Sequence, residues 1–532
     1  MRTLLNRWLL PMAAGALLVS AFPPFNVGQD AWFALVPLLF ALEGCRPGEA
    51  FRRGYITGLV FFTGTVWWTI YTTAAGAPFG AALTGVVLLV AVLALYLGAA
   101  AAWWSVMTRW LTGADVVWRN LLVTVLGAAG WVTLEWVRGN FIFGGFGWNL
   151  LGVSQWQTQP LIQFADVTGV YGVSALMCLV NFGFYFTVRR FLPRAGQAPG
   201  PRRLSWELYV TMILVCGAFV YGLRVIQRNR QAAPAGALRL AMAQGNIPQS
   251  LKFDPAQKPV ILERYRTLTE PFLSNGVDLI IWPETATPEP LRYDPESFGL
   301  VTNLARRANA YLLTGTIDVT PNKTPVEPFN AAILVRPDGR LEEIYRKMHL
   351  VPFGEYVPLR KALPFIKWLV PIEGSFERGA DYTVFQLADC RAARFGVVIC
   401  FEDTVPELYR RFVQRGVDFM INLTNDAWFK TSSEPEIHLA NAVFRAVENR
   451  RPLVRATNHG ITCVVDECGV VQVKAQPFAA GSLTCELSWH GTGGQSFYTR
   501  HGNVFAWGCV ALTAVTGLVA WRKKAFAVES RA

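Results

Sequence analysis

Long, almost uncharged runs of apolar residues near both ends of this chain constrain its fold more than any other feature of the sequence. Eight runs are candidate membrane spans, at residues 8–22, 31–42, 55–73, 79–107, 121–137, 170–188, 208–223 and 504–521. A helix needs about 20 apolar residues to cross the hydrocarbon core, and interfacial residues complete the span of a shorter run. The sequence therefore predicts an α-helical transmembrane bundle of about eight spans. The second run is the shortest and contains Pro37.

The basic residues around these runs are distributed asymmetrically. The N-terminus, alternate short loops and the C-terminal tail carry 16 of them, whereas the intervening short loops carry only Arg138. Because Lys and Arg accumulate on the cytoplasmic side of membrane proteins, this alternation predicts that both termini are cytoplasmic. It also supports all eight spans, since removal of any one would break the alternation. Because seven predicted spans separate the cytoplasmic N-terminus from residues 236–490, this segment is predicted to lie outside the cytoplasm.

Charge also separates residues 236–490 from the rest of the chain. This segment carries 28 Lys and Arg against 29 Asp and Glu, whereas the remainder carries 21 against 8. The net charge of +12 therefore belongs to the membrane part, which argues against a nucleic-acid partner. The sequence predicts three regions: a transmembrane bundle of seven spans at 1–235, an extramembrane domain at 236–490, and a transmembrane helix with a cytoplasmic tail at 491–532.

Glu135 is the one acidic residue well inside a predicted span. A carboxylate at that depth is a candidate functional residue. A local pair with Arg138, three residues further along the helix and near the interface, is the simpler interpretation. The loop at 139–169 is long, almost uncharged and rich in Gly, Phe and Trp. It is predicted either to anchor the chain at the interface or to contact lipid.

Residues 236–490 alternate short apolar runs with amphipathic stretches. The predicted strands are 238–243, 277–282, 311–316, 331–336, 393–399 and 417–422, and the predicted helices are 259–273, 297–309, 406–415 and 436–449. The sequence RPDGR at 336–340 predicts a hairpin turn. Strands that alternate with helices indicate an α/β domain.

Three reactive side chains follow predicted strands or a short strand-like run of this domain. Glu284 follows IIWP, Lys347 follows the run 341–346, and Cys400 follows GVVI. Reactive groups of α/β domains collect beyond the carboxyl ends of strands. In covalent acyl transfer a thiolate attacks, a carboxylate takes its proton and a cation stabilises the oxyanion. Each residue alone is weak evidence, and two have a structural alternative: a Cys at a strand end is often a core thiol, and a Glu after Trp-Pro can cap a helix.

The motifs around these three residues resemble the catalytic signatures of the nitrilase superfamily. They read IIWPET, YRKMHLVPFGEYVP and VVICFED. With seven predicted spans before the domain and one after it, essentially the whole chain resembles the apolipoprotein N-acyltransferases, which are membrane-embedded members of that superfamily. The supporting segments are MAQGNIPQ, INLTNDAWF and HLANAVFRAVENRRPLVRATNHG.

This resemblance implies an α-β-β-α sandwich and a Glu-Lys-Cys triad. By motif, Glu284 is the general base, Lys347 stabilises the oxyanion and Cys400 is the nucleophile. Glu355 and Glu402 match two further glutamates of the family, the first in the pocket and the second near the nucleophile.

Two positions depart from the family pattern. Phe401 stands where Tyr is common, and Phe253 stands where Trp is common. Both exchanges keep an aromatic ring and remove a polar group, so hydrogen bonds at these positions are not expected. The triad is intact.

The implied reaction transfers a fatty acyl chain from a membrane phospholipid to the N-terminal amine of a diacylglyceryl-cysteine apolipoprotein. It proceeds in ping-pong order through a thioester on Cys400, as the last step of lipoprotein maturation. The implied location is the bacterial inner membrane, with the domain on the periplasmic side. Because both substrates carry acyl chains, they reach a membrane-bound domain by lateral diffusion. Residues 363–376 (LPFIKWLVPIEGSF) are predicted to form either a lipid-facing lid or a buried structural loop.

The sequence leaves two other functions open. A membrane-tethered nitrilase-type amidase would use the same triad with water as the acceptor. A non-catalytic lipoprotein-binding scaffold would not need the three reactive residues, and their presence argues against it. We expect no cofactor, because phosphate-binding glycine loops are absent from the sequence, and no metal, because the five His lack metal-binding spacing. The domain has five Cys, an odd number that leaves at least one unpaired. We expect a monomer.

Overall fold

The computed structural model of the protein describes residues 5–75, 78–111, 116–192, 204–321, 326–358, 375–490 and 494–529. These residues fall into two compact units. The first contains the described parts of 1–67, 86–226 and 501–532, and the second contains those of 68–85 and 227–500.

The apolar runs at the two ends of the chain form helices. Their bounds are Leu10–Ser20, Val36–Ala41, Pro47–Val66, Phe79–Trp110, Val116–Asn140, Gln159–Ile162, Ala165–Thr168, Val170–Phe191, Trp206–Gln231 and Val504–Glu529. Shorter helical turns span Leu5–Leu9, Gly28–Trp32, Trp67–Ala75 and Leu151–Gln155. Among the described residues, five helices are long and apolar enough to cross a membrane: Phe79–Trp110, Val116–Asn140, Val170–Phe191, Trp206–Gln231 and Val504–Arg522.

These five helices confirm five of the predicted spans, but the described residues do not confirm a count of eight. The run 8–22 falls on the shorter helix Leu10–Ser20 and the turn before it. The run 31–42 is broken, since only Val36–Ala41 is α-helical. The run 55–73 is divided between the helix Pro47–Val66 and the turn Trp67–Ala75.

Small residues and one buried amide hold the helical unit together. A Cβ added at Gly58 would lie only 2.7 Å from the Cα of Ala94, so glycine allows these two helices to approach closely. Asn181 accepts from the N–H of Leu35 at 2.8 Å and donates to the carbonyl of Ala31 at 2.9 Å. The helix Val170–Phe191 thereby satisfies backbone groups of the broken 31–42 run.

Glu135 and Arg138 are both buried in this unit and stabilise the same stretch of loop. Glu135 accepts from the N–H of Leu151 at 2.7 Å. Arg138 donates to the carbonyls of Trp148 and Asn149 at 2.7 and 3.2 Å. Because each side chain satisfies backbone groups of the 139–169 loop, the structure gives this acid a positioning role within the bundle.

The second unit contains twelve strands in the described residues. They are β1 Gly236–Gln244, β2 Leu279–Ile281, β3 Tyr311–Val319, β4 Pro328–Val335, β5 Leu341–Arg346, β6 Val384–Leu387, β7 Ala393–Ile399, β8 Phe419–Thr424, β9 Leu453–Thr457, β10 Cys463–Val465, β11 Val471–Lys474 and β12 Gly481–Trp489. They form two six-stranded sheets, in the orders β12-β1-β2-β3-β4-β5 and β6-β7-β8-β9-β10-β11. The helices of the unit are Lys258–Thr269, Pro295–Ala308, Pro406–Gln414, Glu434–Asn449 and Phe497–His501.

The two sheets repeat one pairing pattern. In each, an antiparallel pair is followed by two parallel pairs and then two antiparallel pairs. The sheets meet where β1 and β9 end: Asn246 N–H donates to the carbonyl of Asn458 at 2.7 Å, and Ile247 N–H donates to its side-chain oxygen at 3.0 Å. Two helices cover the outer face of each sheet. The domain is therefore a nitrilase-like α-β-β-α sandwich, as expected.

The sequence located the central elements well. All six predicted strands and all four predicted helices form, and β7 has the predicted bounds. The hairpin turn at 336–340 joins β4 to β5, with Arg336 N–H donating to the carbonyl of Arg340 at 2.9 Å. The strands β6 and β9 to β12 were not predicted.

Candidate active site

Cys400 begins a short helical turn directly after β7. Its φ is 55°, in the left-handed region that is unfavourable for a residue with a side chain. Two donors hold its carbonyl oxygen: the amide of Asn422 at 3.1 Å and Nε2 of His438 at 3.2 Å. These hydrogen bonds fix the strained backbone that presents the thiol, which is partly exposed.

Glu284 lies just beyond the carboxyl end of β2. Its side chain is buried, and Oε1 accepts from the amide of Asn330 at 2.7 Å. Nζ of Lys347 lies 3.7 Å from the same oxygen. Oε2 is buried and has no hydrogen-bond partner among the described residues, so it is available to accept a proton. Burial raises the pKa of Glu284, and the charge of Lys347 opposes this effect.

Lys347 follows β5 and is buried between two carboxylates. Nζ lies 2.9 Å from Oε1 of Glu355 and 5.4 Å from the centre of the Phe401 ring. Burial alone would lower the pKa of Lys347, but Glu355 and Glu284 outweigh it and raise the pKa above its usual value. The side chain therefore remains an ammonium, as an oxyanion-stabilising group requires.

Glu355 and Asn330 complete the site beside the base. The amide of Asn330, on β4, donates to both Glu284 and Glu355, at 2.7 and 2.9 Å. The other oxygen of Glu355 accepts from the N–H of Val351 at 2.8 Å. Asn330 thus holds the two carboxylates side by side around Lys347.

Glu402 links the ends of β5 and β7. Oε1 accepts from the N–H groups of Met348 and His349 at 2.8 and 2.9 Å. Oε2 accepts from the N–H of Ile399 at 2.7 Å and from the hydroxyl of Tyr345 at 2.9 Å. Burial raises the pKa of Glu402 to about 7, and the charge of Lys347 and these donors oppose the rise. Since the donors flank Lys347 and Cys400, Glu402 positions both.

A buried charged cluster lies behind Cys400. Nε2 of His438 is 2.8 Å from Asp403, and Nδ1 is 3.3 Å from Asp426 and 3.5 Å from Glu434. Arg455 pairs with Asp403 and lies 3.9 Å from Asp426. Burial alone would lower the pKa of His438, but Asp403 and Asp426 raise it to about 10.

Asp426, Glu434 and His438 are close enough to bind a metal ion, which the sequence analysis did not anticipate. In this arrangement the chain supplies the positive charge itself, as imidazolium and guanidinium. Burial also raises the pKa of Glu434 well above its usual value, and the charge of Asp426 adds to the rise.

The structure brings together the residues that the sequence singled out. Glu284, Lys347 and Glu355 are in direct contact, and Cys400 lies within electrostatic reach of all three. Burial and Glu284 raise the pKa of the Cys400 thiol well above its usual value, while Lys347 opposes the rise. The resting thiol is therefore protonated and needs a base to become a nucleophile. Such an arrangement is suited to covalent acyl chemistry.

Comparison with known proteins finds related sequences over most of the chain. Residues 14–183 match the family described as apolipoprotein N-acyltransferase N-terminal domain, and residues 239–493 match carbon-nitrogen hydrolase. The apolipoprotein N-acyltransferase of Geobacter metallireducens is 36% identical over 520 residues, which cover 97% of this chain and 96% of that protein. The chain belongs to the apolipoprotein N-acyltransferase family. It is accordingly a membrane acyltransferase of the nitrilase superfamily that acts in lipoprotein maturation.

Other relatives carry the same name. The apolipoprotein N-acyltransferase of Chlorobaculum tepidum is 31% identical, covering 98% of both chains, and that of Azotobacter vinelandii is 34% identical, covering 90% of this chain and 89% of its own. Among solved structures, a nitrilase-superfamily protein of Saccharomyces cerevisiae is 20% identical and covers 48% of this chain and 93% of its own, with a TM-score of 0.37.

Sequence reasoning missed several residues of the site. Asn330 lies in a stretch that none of the quoted motifs covers. Asn422 and His438 lie in the supporting segments INLTNDAWF and HLANAVFRAVENRRPLVRATNHG, but neither residue was singled out there. Asp403 could have been found from the sequence, because it lies three residues after Cys400 in the CFED motif. Lys252 directly precedes Phe253, one of the two positions that depart from the family pattern, but was not itself singled out. Among the described residues, Cys400 forms no disulfide.

Proposed function

We propose that the chain transfers a fatty acyl group from a membrane phospholipid to the N-terminal amine of a diacylglyceryl-cysteine apolipoprotein, through a thioester on Cys400. The observation that carries this proposal is the convergence of Glu284 and Lys347, from the first sheet, with Cys400, from the second. The relatives named apolipoprotein N-acyltransferase, which match over nearly their full length, support an apolipoprotein as the acyl acceptor. The phospholipid donor and the order of steps are part of the proposal, and a thiol placed beside a base and an ammonium supports a covalent intermediate.

The first half-reaction acylates the enzyme. Glu284 takes the thiol proton of Cys400, and the thiolate attacks an ester carbonyl of the phospholipid. Lys347 stabilises the negative charge that develops on the carbonyl oxygen. The tetrahedral intermediate collapses by breaking the ester C–O bond, and Glu284 returns the proton to the leaving lysophospholipid hydroxyl. The acyl group remains on sulfur as a thioester.

The second half-reaction transfers the acyl group to nitrogen. The neutral N-terminal amine of the apolipoprotein attacks the thioester carbonyl, and Lys347 again stabilises the oxyanion. The C–S bond breaks, an amide forms, and Glu284 passes a proton from the amine to the Cys400 thiolate. The two half-reactions use the same three side chains, so a ping-pong order needs no further group.

A direct assay follows the acyl group. Purified protein in detergent or nanodiscs receives phospholipid with an isotopically labelled acyl chain and a diacylglyceryl-cysteine lipopeptide. We expect label in an amide on the lipopeptide, and no transfer with Cys400→Ser. Label released only as free fatty acid would mean that water is the acceptor, as in an amidase, and would contradict the proposal.

We further propose an eight-span arrangement in the inner membrane, with both termini cytoplasmic and the catalytic domain periplasmic. The alternation of basic residues supports it. A reporter active only in the periplasm should be active when fused within 322–325 and silent when fused within 193–201, both of which lie outside the described residues. The opposite pattern would place the catalytic domain away from exported lipoproteins. The predicted lid at 363–376 is also mostly outside the described residues, except that Phe376 N–H donates to the carbonyl of Glu355 at 2.9 Å.

A further inference from the structure

Lys252 is buried, although lysine side chains are usually exposed. Its side chain is 2% exposed, whereas its apolar neighbours Leu251 and Phe253 are 39% and 48% exposed. Lysine is almost never fully buried unless it is paired. Among the described residues, however, Lys252 forms no ion pair within 4 Å. Such an arrangement needs a local reason.

The hydrogen bond that Lys252 makes to the main chain of Glu284 explains its burial. Nζ donates to the main-chain carbonyl of Glu284 at 2.7 Å. Glu284 lies past the end of β2, where Thr285 has a φ of 43° and the chain leaves the sheet. The carbonyl therefore needs another donor, because a buried carbonyl without one is unfavourable. Lys252 supplies it and fixes the backbone that carries the base.

The charge of Lys252 has a second consequence. The site holds two carboxylates, Glu284 and Glu355, but only one other ammonium, Lys347. Proton transfer from Cys400 to Glu284 leaves a thiolate beside Glu355, and one ammonium cannot balance both. Lys252 lies within electrostatic reach of Glu284 and Cys400 and provides the missing charge.

We propose that Lys252 is a positioning residue of the active site, which holds the main chain of Glu284 and balances the thiolate of Cys400 with a second buried positive charge. This inference rests on the proposed function only in the roles of Glu284 and Cys400. Burial lowers the pKa of Lys252 to about 8, and Glu284 and Cys400 oppose the fall. The side chain is therefore still mainly protonated at neutral pH.

Two variants separate the two roles. Lys252→Gln keeps an N–H donor for the Glu284 carbonyl and removes the charge, whereas Lys252→Met removes both. Lys474→Met is the matched control, because it removes one positive charge from an exposed position on β11. The rate of Cys400 alkylation by iodoacetamide is measured against pH by peptide mass spectrometry, which separates Cys400 from the other eight Cys. Folding is checked by thermal unfolding.

Both Lys252 variants should fold, and the pH midpoint of Cys400 alkylation should rise by about one unit in each, which slows alkylation about tenfold at a fixed pH below it. Lys252→Met, which also loses the hydrogen bond to the Glu284 carbonyl, should unfold at a lower temperature than Lys252→Gln. The Lys474→Met profile should match that of the wild type. The proposal is overturned if the Lys252 variants fold and match the control, or if neither variant folds, since Lys252 would then serve the fold alone. Because the assay uses no lipid or lipoprotein, its result stands whether or not the protein proves to be an N-acyltransferase.

Discussion

The placement of Glu284 depends on the absence of a side chain at Gly315. Gly315 lies in β3, where its N–H donates to the carbonyl of Pro283 at 3.2 Å and its carbonyl accepts from the N–H of Ala286 at 2.9 Å. A Cβ added there would lie 2.5 Å from the carbonyl oxygen of Pro283 and 2.6 Å from the Cα of Glu284. Carbon contacts are normally about 3.5 Å or more, so Gly315→Ala must move the segment carrying Glu284 by roughly 1 Å.

A displacement of this size should affect catalysis more than stability. Misplacing a catalytic group by about 1 Å lowers the rate about 100-fold, whereas overpacking a core typically costs about 1–3 kcal/mol of unfolding free energy. The assay is the initial rate of acyl transfer to the lipopeptide, alongside chemical denaturation. Gly481→Ala is the matched control, because a Cβ there meets nothing within 4 Å.

The control should retain both its rate and its stability. If folded Gly315→Ala transfers acyl groups at a rate within about threefold of the control, then the position of the Glu284 backbone does not limit catalysis. The assignment of Glu284 as the base would then lose its geometric support.

Three further predictions concern charges in the site. Glu284→Gln should fold but fail to acylate Cys400, because an amide cannot accept the thiol proton; an unchanged rate of acylation by intact mass would make Glu355 the leading base. Glu402→Gln should lower the free energy of unfolding by about 3 kcal/mol in denaturant titration, because its NH₂ would face two hydrogen-bond donors; a stability equal to that of the wild type would show that Glu402 does not act as a carboxylate acceptor there. The folded pKa of Lys252, about 8, is below its ordinary 10.5. The unfolded chain therefore binds the extra proton between these values, and the stability of the wild type relative to Lys252→Met should rise by about 2 kcal/mol from pH 7 to pH 9.5; a difference that stays constant over this range would refute the lowered pKa.

The elements that carry the reactive residues were predictable because their signals are local. β7 closes with the apolar run Phe395–Ile399, directly before Cys400, and β2 is an apolar run that ends three residues before Glu284. The strand β12 has no comparable signal. Its burial alternates and is incomplete, and it pairs with β1 from the opposite end of the domain, where Gly481 faces Gln244. Non-local pairing of this kind is not encoded in a local pattern.

The distinction between local sequence signals and non-local contacts also applies to the residues of the active site. Charged residues at strand ends could be found, whereas the groups that hold them could not. Asn330 is important only because the β3–β4 pairing places it between Glu284 and Glu355. Lys252 looks like a surface residue in a polar turn, and only burial reveals otherwise. In the membrane part, apolar length predicted the five long helices, but it could not show where the run 31–42 breaks.

The central claim is that Cys400 carries the acyl group between donor and acceptor. The most direct test is intact-mass analysis of the purified protein after incubation with phospholipid and no lipopeptide. We predict a mass increase of one acyl group on Cys400, absent in Cys400→Ser and lost when lipopeptide is added. An unmodified wild-type protein that nevertheless transfers the acyl group, or an equal gain of mass in Cys400→Ser, would contradict the thioester mechanism.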